Sequence, residues 1–142
     1  MKIYLTLKTK EILQCLRRKE IAENENTFIP LYINQWLTNK HKKAYIVKDD
    51  ANNITCFAIL HKMDFDPNHQ FKKPYLLDLI YTFKEYRRNG FATRILTRIK
   101  ENGEEITAFC SNDCSAQLFA RNGFTKDPFQ DPYGNDLYRS PV

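Results

Sequence analysis

The chain opens on an alternation. Lys2 to Lys8 reads Lys-Ile-Tyr-Leu-Thr-Leu-Lys, the two-residue period of a strand with one covered face. Thr9 then stands where a helix would be capped, and Ile12, Leu13, Leu16 and Ile21 fall on one helical face until Asn24-Glu25-Asn26-Thr27 breaks the pattern. A second helix is expected from Pro30 to about Asn39, carrying Leu31, Ile33, Trp36 and Leu37. Lys43 to Lys48 and Ile54 to Phe65 read as strands on either side of the turn Asp49-Asp50-Ala51-Asn52-Asn53. A loop begins at Asp66-Pro67-Asn68-His69 and ends at Pro74. Tyr75 to Phe83 (Tyr-Leu-Leu-Asp-Leu-Ile-Tyr-Thr-Phe) is nearly continuously apolar, which predicts a strand covered on both faces. A polar turn leads to a helix from Asn89 to Glu101, with Ile95, Leu96 and Ile99 inward and Asn102-Gly103 as its stop. Glu105 to Ser111 is a further strand, and Ser115 to Asn122 a short helix closed by Gly123. Asp131-Pro132-Tyr133-Gly134 marks a last hairpin.

The order is therefore β-α-α-β-β-β-α-β-α-β-β. The strand–helix–strand unit from Tyr75 to Ser111 requires parallel pairing with a right-handed crossover. The expected class is α/β (α+β) with a central twisted mixed sheet of about six to seven strands and about four helices. With 142 residues, no internal repeat and no linker-like tract, the chain reads as one domain, residues 1–142. Its 42% hydrophobic content excludes a disordered class.

Charge changes the picture modestly. Twenty-two Lys and Arg against 17 Asp and Glu give a net charge of +5. That suits an anionic partner such as a phosphorylated cofactor or nucleic acid, and equally serves solubility. The N-terminal Met1-Lys2-Ile3-Tyr4-Leu5 lacks the apolar run and small-residue cleavage site of a secretory signal, and no stretch has the length of a membrane span. A cytoplasmic protein with reduced thiols at Cys15, Cys56, Cys110 and Cys114 is expected. Cys110 and Cys114, with His41, His61 or His69, fit no common zinc spacing, so no metal is expected.

The chemistry concentrates in the turn between the apolar strand and the helix after it. Lys84, Arg87 and Arg88 lie there, just before Gly90 and Ala92. A helix N-terminus presents unpaired N–H groups and the positive end of the helix dipole, which suits phosphate oxygens. Gly90 allows a close backbone approach, and the arginines add charge-assisted hydrogen bonds. Taken alone, the same residues also describe a solvated basic turn. Neither Gly-x-x-x-x-Gly-Lys-Ser/Thr nor Gly-x-Gly-x-x-Gly occurs, which argues against a nucleoside-triphosphate loop and a dinucleotide fold.

Arg87-Arg88-Asn89-Gly90-Phe91-Ala92 resembles the Arg/Gln-x-x-Gly-x-Gly/Ala signature of the GCN5-related N-acetyltransferases (GNAT superfamily), which follows the fourth strand and opens the third helix. Asp113 to Phe124 (Asp-Cys-Ser-Ala-Gln-Leu-Phe-Ala-Arg-Asn-Gly-Phe) resembles the later helix of that family, roughly Asn-x-x-Ala-x-x-Leu-Tyr-x-x-x-Gly-Phe. The order of elements agrees over almost the whole chain. The resemblance implies acetyl-CoA as donor, its pyrophosphate held by backbone N–H groups from about Arg88 through Asn89, Gly90 and Phe91 to Ala92, with Arg87 also among the cofactor-binding residues. It implies a pantetheine arm paired with the fourth strand around Ile80, Tyr81 and Thr82, where that strand splays from the fifth, often at a bulge. A backbone N–H near Tyr81 or Thr82 would polarise the thioester carbonyl. Phe119, in the later helix, would lie among the cofactor-contacting positions. The acceptor would be a primary amine of a small molecule, a protein or an aminoacyl-tRNA, on a monomer or on a homodimer formed through edge strands near Tyr138.

One departure stands out. Many relatives carry an acidic Tyr where this chain has Phe119. The thiolate then leaves unassisted, as a pKa of about 8.5 permits. Alternatively Tyr138, Cys110 or Cys114 supplies the proton, or the protein binds acyl-CoA without transferring the acyl group. For the base, Asp78 is the only charge in the apolar strand, and alternation would place it on the face of Ile80 and Thr82. Some relatives carry a Glu base two residues earlier, where Leu76 stands. Burial would raise the Asp78 pKa, whereas pairing with a neighbouring cation or Tyr would make it structural. His61, one strand earlier, is a second candidate. Phe28, Tyr32 and Trp36 border the acceptor site in the family, although a Trp at this spacing also suits a core. A nucleic-acid surface of Lys72, Lys73, Lys84, Arg87, Arg88, Arg94 and Arg98 is the remaining alternative, with no stacking platform to support it.

Overall fold

The structure is a computed structural model that describes residues 2–25, 29–110 and 113–141. In chain order its elements are β1 (Lys2–Thr6), α1 (Thr9–Leu16), α2 (Lys19–Glu25), α3 (Ile29–Thr38), β2 (Lys42–Lys48), β3 (Ile54–Lys62), β4 (Tyr75–Thr82), a 3₁₀ turn (Lys84–Tyr86), α4 (Phe91–Glu101), β5 (Ile106–Cys110), α5 (Asp113–Arg121), β6 (Thr125–Gln130) and β7 (Asp136–Arg139). The seven strands form one sheet in the order β1-β2-β3-β4-β5-β7-β6. β4 and β5 are parallel and every other pair is antiparallel, so the mixed sheet and the crossover through α4 are as expected. Tyr138 is not on an edge: β7 lies between β5 and β6, and the edges are β1 and β6.

Helices cover both faces. On one, Phe91, Ile95, Leu96 and Ile99 of α4 and Phe119 of α5 pack on Tyr45, Val47, Ala58, Leu60 and Leu77. On the other, Ile12, Cys15 and Leu16 of α1, Ile21 of α2 and Trp36 of α3 pack on Ala44, Ile46, Phe57, Ile59, Leu79 and Tyr81. Each fully buried aliphatic side chain contributes about 1.5–3 kcal/mol.

The expected first helix is two. α1 stops at Leu16, and Arg18 N–H turns back to Cys15 O (3.3 Å) with no glycine or proline at the break. The break is held by tertiary contacts, since the Arg18 guanidinium lies 4.2 Å from the Phe83 ring centroid. Thr9 does not cap α1. Lys8 occupies that position without a side-chain cap, and the Thr9 hydroxyl accepts from Trp36 Nε1 (3.3 Å). β3 ends at Lys62, short of Phe65, because the chain turns into a loop anchored by Asp66. Asp66 accepts from the N–H groups of Asn68 and Phe71 (3.1 and 2.8 Å) and pairs with Arg139, which also donates to Asp127 (2.7 Å).

β4 departs from the expected alternation at one place. Ile59 faces Leu79 and Leu60 faces Leu77, so Asp78 is the extra residue of a bulge. The bulge reverses which face each later residue occupies. Leu77 joins the α4 face, Leu79 and Tyr81 the α1–α3 face, and Ile80 packs back on the α4 side. Asp78 therefore does not share a face with Ile80 and Thr82; it reaches the α1–α3 side, where it meets His61.

Candidate functional site

β4 and β5 pair only at Tyr75–Ile106 and Leu76–Thr107 and then separate. Beyond those pairings the β5-facing backbone of β4 has no strand partner among the described residues. Phe83 N–H donates to Thr55 O (3.0 Å), so the antiparallel alternation directs the Tyr81 backbone toward Phe57 on β3. Ile80 and Thr82 point their N–H and C=O groups into the split. The expected Tyr81 N–H is thus committed to the sheet, while those of Ile80 and Thr82 face the gap.

The turn after β4 closes over the mouth of the split. Arg87 Nε donates to Thr82 O (3.0 Å), and the Arg87 guanidinium lies 5.3 Å from the Tyr81 ring centroid. Asn89 Nδ2 donates to Tyr86 O and Arg87 O (3.0 and 3.2 Å), which makes Asn89 a brace within the turn. Arg88 and Gly90 both adopt left-handed backbone, with φ of 68° and 74°. Such a conformation is strained for Arg88 and free for Gly90. A Cβ built on Gly90 would meet nothing within 4 Å.

The first intrahelical bond of α4 runs from Arg94 N–H to Gly90 O (3.1 Å), and glycine has no side chain to cap the N–H groups of Phe91, Ala92 and Thr93. They open onto a cavity of about 530 Å³ lined by the turn, by Thr82, by Leu118 and Arg121 of α5 and by Asn122 just after it. Of the expected cofactor-contacting residues, Thr82, Arg87, Arg88, Gly90, Phe91 and Ala92 line this cavity; Ile80, Tyr81, Asn89 and Phe119 do not. Phe119 is buried, its ring packed against Phe124 and Tyr138 at 5.3 and 5.8 Å. Tyr86, Thr93, Leu118, Arg121 and Asn122 were missed. For α5 a signal existed, because Leu118, Arg121 and Asn122 share the i, i+3, i+4 spacing of one helix face, turned away from Phe119.

The second cluster lies on β3 and β4, on the α1–α3 side and two residues past the last β4–β5 pairing. His61 Nδ1 and Asp78 Oδ2 are 2.6 Å apart, with Asp78 nearly buried and His61 largely so. Gln35, Trp36 and Lys42 border the pair. The hydrogen bond to Asp78 raises the His61 pKa above its ordinary value, against the effect of burial. Burial raises the Asp78 pKa, and the His61 contact offsets this only in part. The two groups therefore titrate as a coupled pair. Tyr138 is not with them; it sits in the α4-side core beside Phe119. Burial, with Asp136 adding to it, pushes the Cys110 thiol up to about 12, which leaves a poor proton donor near neutral pH. Cys114 and Phe28 lie outside the described side chains. Trp36 is a core residue, 2% exposed, and Tyr32 packs partly buried against the same cluster.

A seven-stranded mixed sheet whose two parallel strands part, with an uncapped helix N-terminus and two arginines lining a cavity at the end of β4, defines an α/β fold with an open, basic cleft. The sequence matches the Acetyltransferase (GNAT) family over residues 9–124, and the chain belongs to that family. No curated protein sequence matches it. Among solved structures it is similar to the PaiA N-acetyltransferase of Thermoplasma acidophilum in complex with coenzyme A, at 13% identity and TM-score 0.65 over 100% of both chains. It is also similar to an acetyltransferase with acetyl-CoA from Clostridium acetobutylicum, at 19% identity and TM-score 0.64 over 91% of this chain and 92% of that one. A third similar structure is an aminoglycoside antibiotic 6'-N-acetyltransferase from Acinetobacter haemolyticus, at 15% identity and TM-score 0.63 over 92% and 94%. Among the described residues no helix is long and apolar enough to cross a membrane.

Proposed function

We propose that the chain is a single N-acetyltransferase domain that moves the acetyl group of acetyl-CoA directly to a primary amine. The observation that carries this reading is the cavity at the Arg87–Ala92 turn, walled by uncapped N–H groups of α4, two arginines and Thr82 at the end of β4, where β4 has already parted from β5. The solved relatives named with acetyl-CoA or coenzyme A support the same donor.

In this reading the pyrophosphate lies against the N–H groups of Phe91, Ala92 and Thr93, with Arg87 and Arg88 neutralising charge. The pantetheine arm follows β4 and bonds to the backbone of Ile80 and Thr82. The amine nitrogen attacks the thioester carbonyl, a C–N bond forms and the C–S bond breaks. Positioning is most of what this step requires. The amine proton passes to the His61–Asp78 pair, acting as one base. The thiolate is a fair leaving group, and Tyr138, packed on Phe119, is the residue we assign to return a proton to it. Phe119 also favours a second reading, an acyl-CoA-binding module without turnover. Thiol release from acetyl-CoA with a panel of small amines, peptides and aminoacyl-tRNA separates the two. Release with at least one acceptor is expected; binding of CoA without release from any of them supports the second reading.

A further inference from the structure

Glu20 touches the cavity nowhere, yet it holds the parts that shape it. It stands in α2, in the helix layer that carries Trp36, and its side chain reaches both Tyr81 on that face and the turn at the end of β4. One oxygen, Glu20 Oε2, accepts from Tyr81 Oη (2.7 Å) and from Lys84 N–H (2.9 Å). Lys84 is the first residue of the 3₁₀ turn that delivers Arg87 and Arg88. Tyr81 is the ring on which Arg87 rests, and the same guanidinium is tied to Thr82 O. Arg18, two residues before Glu20, adds its contact with the Phe83 ring, which meets Tyr81 edge-on at 5.6 Å.

We infer that Glu20 is a positioning residue for the anion-binding turn. It fixes Tyr81 and the start of the 3₁₀ turn so that Arg87 is held over the cavity before a ligand arrives, and it couples the helix layer beside His61–Asp78 to the affinity for the donor. This rests on the reading of the cavity as the CoA site. Hydrogen bonds to a charged acceptor are worth more than neutral ones, and rigidifying a binding group in its bound position lowers the ordering loss on binding. An acidic residue beside a phosphate site otherwise repels the ligand. Removing Glu20 would then strengthen binding if charge alone mattered, so the two accounts predict opposite signs.

The test is calorimetric titration of the full chain with coenzyme A. The Glu20→Ala variant is expected to lose about five- to tenfold in affinity, and Glu20→Gln, which keeps an acceptor oxygen, to stay within about threefold of the parent. In an Arg87→Ala background the Glu20→Ala loss should shrink by at least half, because part of the effect acts through Arg87. Circular dichroism and thermal melting confirm that each variant is folded. Unchanged or tighter binding by folded Glu20→Ala overturns the inference, as does a loss of full size in the Arg87→Ala background. A parent chain that does not bind coenzyme A at all overturns the proposed function instead.

Discussion

At the residue scale the account turns on which side chains share a proton and which share a phosphate. Asp78 is conspicuous in the sequence as the one charge in an apolar strand, and His61 as a histidine on the strand before. Their pairing was not legible, because it depends on where the bulge falls: the resemblance implies one where β4 leaves β5, but nothing in Leu77-Asp78-Leu79 places it at Asp78. Once paired, their titration has a direction. The Asp78 contact keeps His61 protonated to a higher pH than usual, so the pair becomes a competent base only above that raised value. Turnover is expected to rise with pH through an apparent pKa above about 6.5, the ordinary imidazole value. Asp78→Asn should lower turnover by about 10²-fold and shift the rise toward acid, since the contact that holds the His61 proton is weakened. An unaltered profile of kcat against pH would clear the pair of the role. Tyr138→Phe should reduce kcat with little change in CoA affinity, and equal kcat in the two proteins would leave the thiolate departing unassisted.

At the element scale the decisive piece is α4. Its start was visible in Gly90 and Ala92 and its core face in Ile95, Leu96 and Ile99, all three fully buried. This helix both seals the core and aims the uncapped N–H groups at the cavity. Ile95→Ala should cost about 2–5 kcal/mol in urea unfolding, with CoA affinity at saturating folded protein changed far less. Comparable losses in both would mean that the cradle depends on core packing more than on the turn itself. The split of the first helix into α1 and α2 was not legible, since Arg17 and Arg18 are good helix formers and the break serves Arg18–Phe83 and Glu20–Tyr81 contacts made across the fold. The same applies to α5: its resemblance to the family helix drew attention to Phe119, whereas its cavity wall is the face of Leu118, Arg121 and Asn122.

For the whole molecule, the order of elements, the parallel β4–β5 pair and the cover on both faces of β4 follow from hydrophobic periodicity and short connections, whereas the insertion of β7 between β5 and β6, which takes Tyr138 off the edge, does not. A long-range feature that no local pattern announces is the buried cluster of Arg139 with Asp66 and Asp127, which ties the β3–β4 loop to the last hairpin. Burial pushes the Asp66 carboxyl up, but Arg139 and the N–H groups of Phe71 and Asn68 outweigh it and bring it to about 2. The Asp127 carboxyl is lowered in the same way by Arg139, Phe129 N–H and Asn68. A lowered carboxylate stabilises the fold above its unfolded pKa and loses that contribution as pH falls through the folded value. Stability should therefore fall between about pH 4 and pH 2. Arg139→Met, which leaves two buried carboxylates unpaired, should cost about 3–5 kcal/mol at neutral pH and weaken the acid dependence. An acid transition of the same steepness in both proteins would place it elsewhere.

The central claim is that the Arg87–Ala92 turn holds coenzyme A, and Gly90→Glu tests it most directly. Residue 90 is part of the cavity wall and a Cβ there meets open space, so the variant sets a negative charge beside the uncapped N–H groups, at a backbone strain of about 1–2 kcal/mol. Calorimetry is expected to show coenzyme A binding by the parent chain and a loss of at least about 100-fold in the variant, with its melting curve still cooperative. Equal affinity in the two folded proteins would contradict the account.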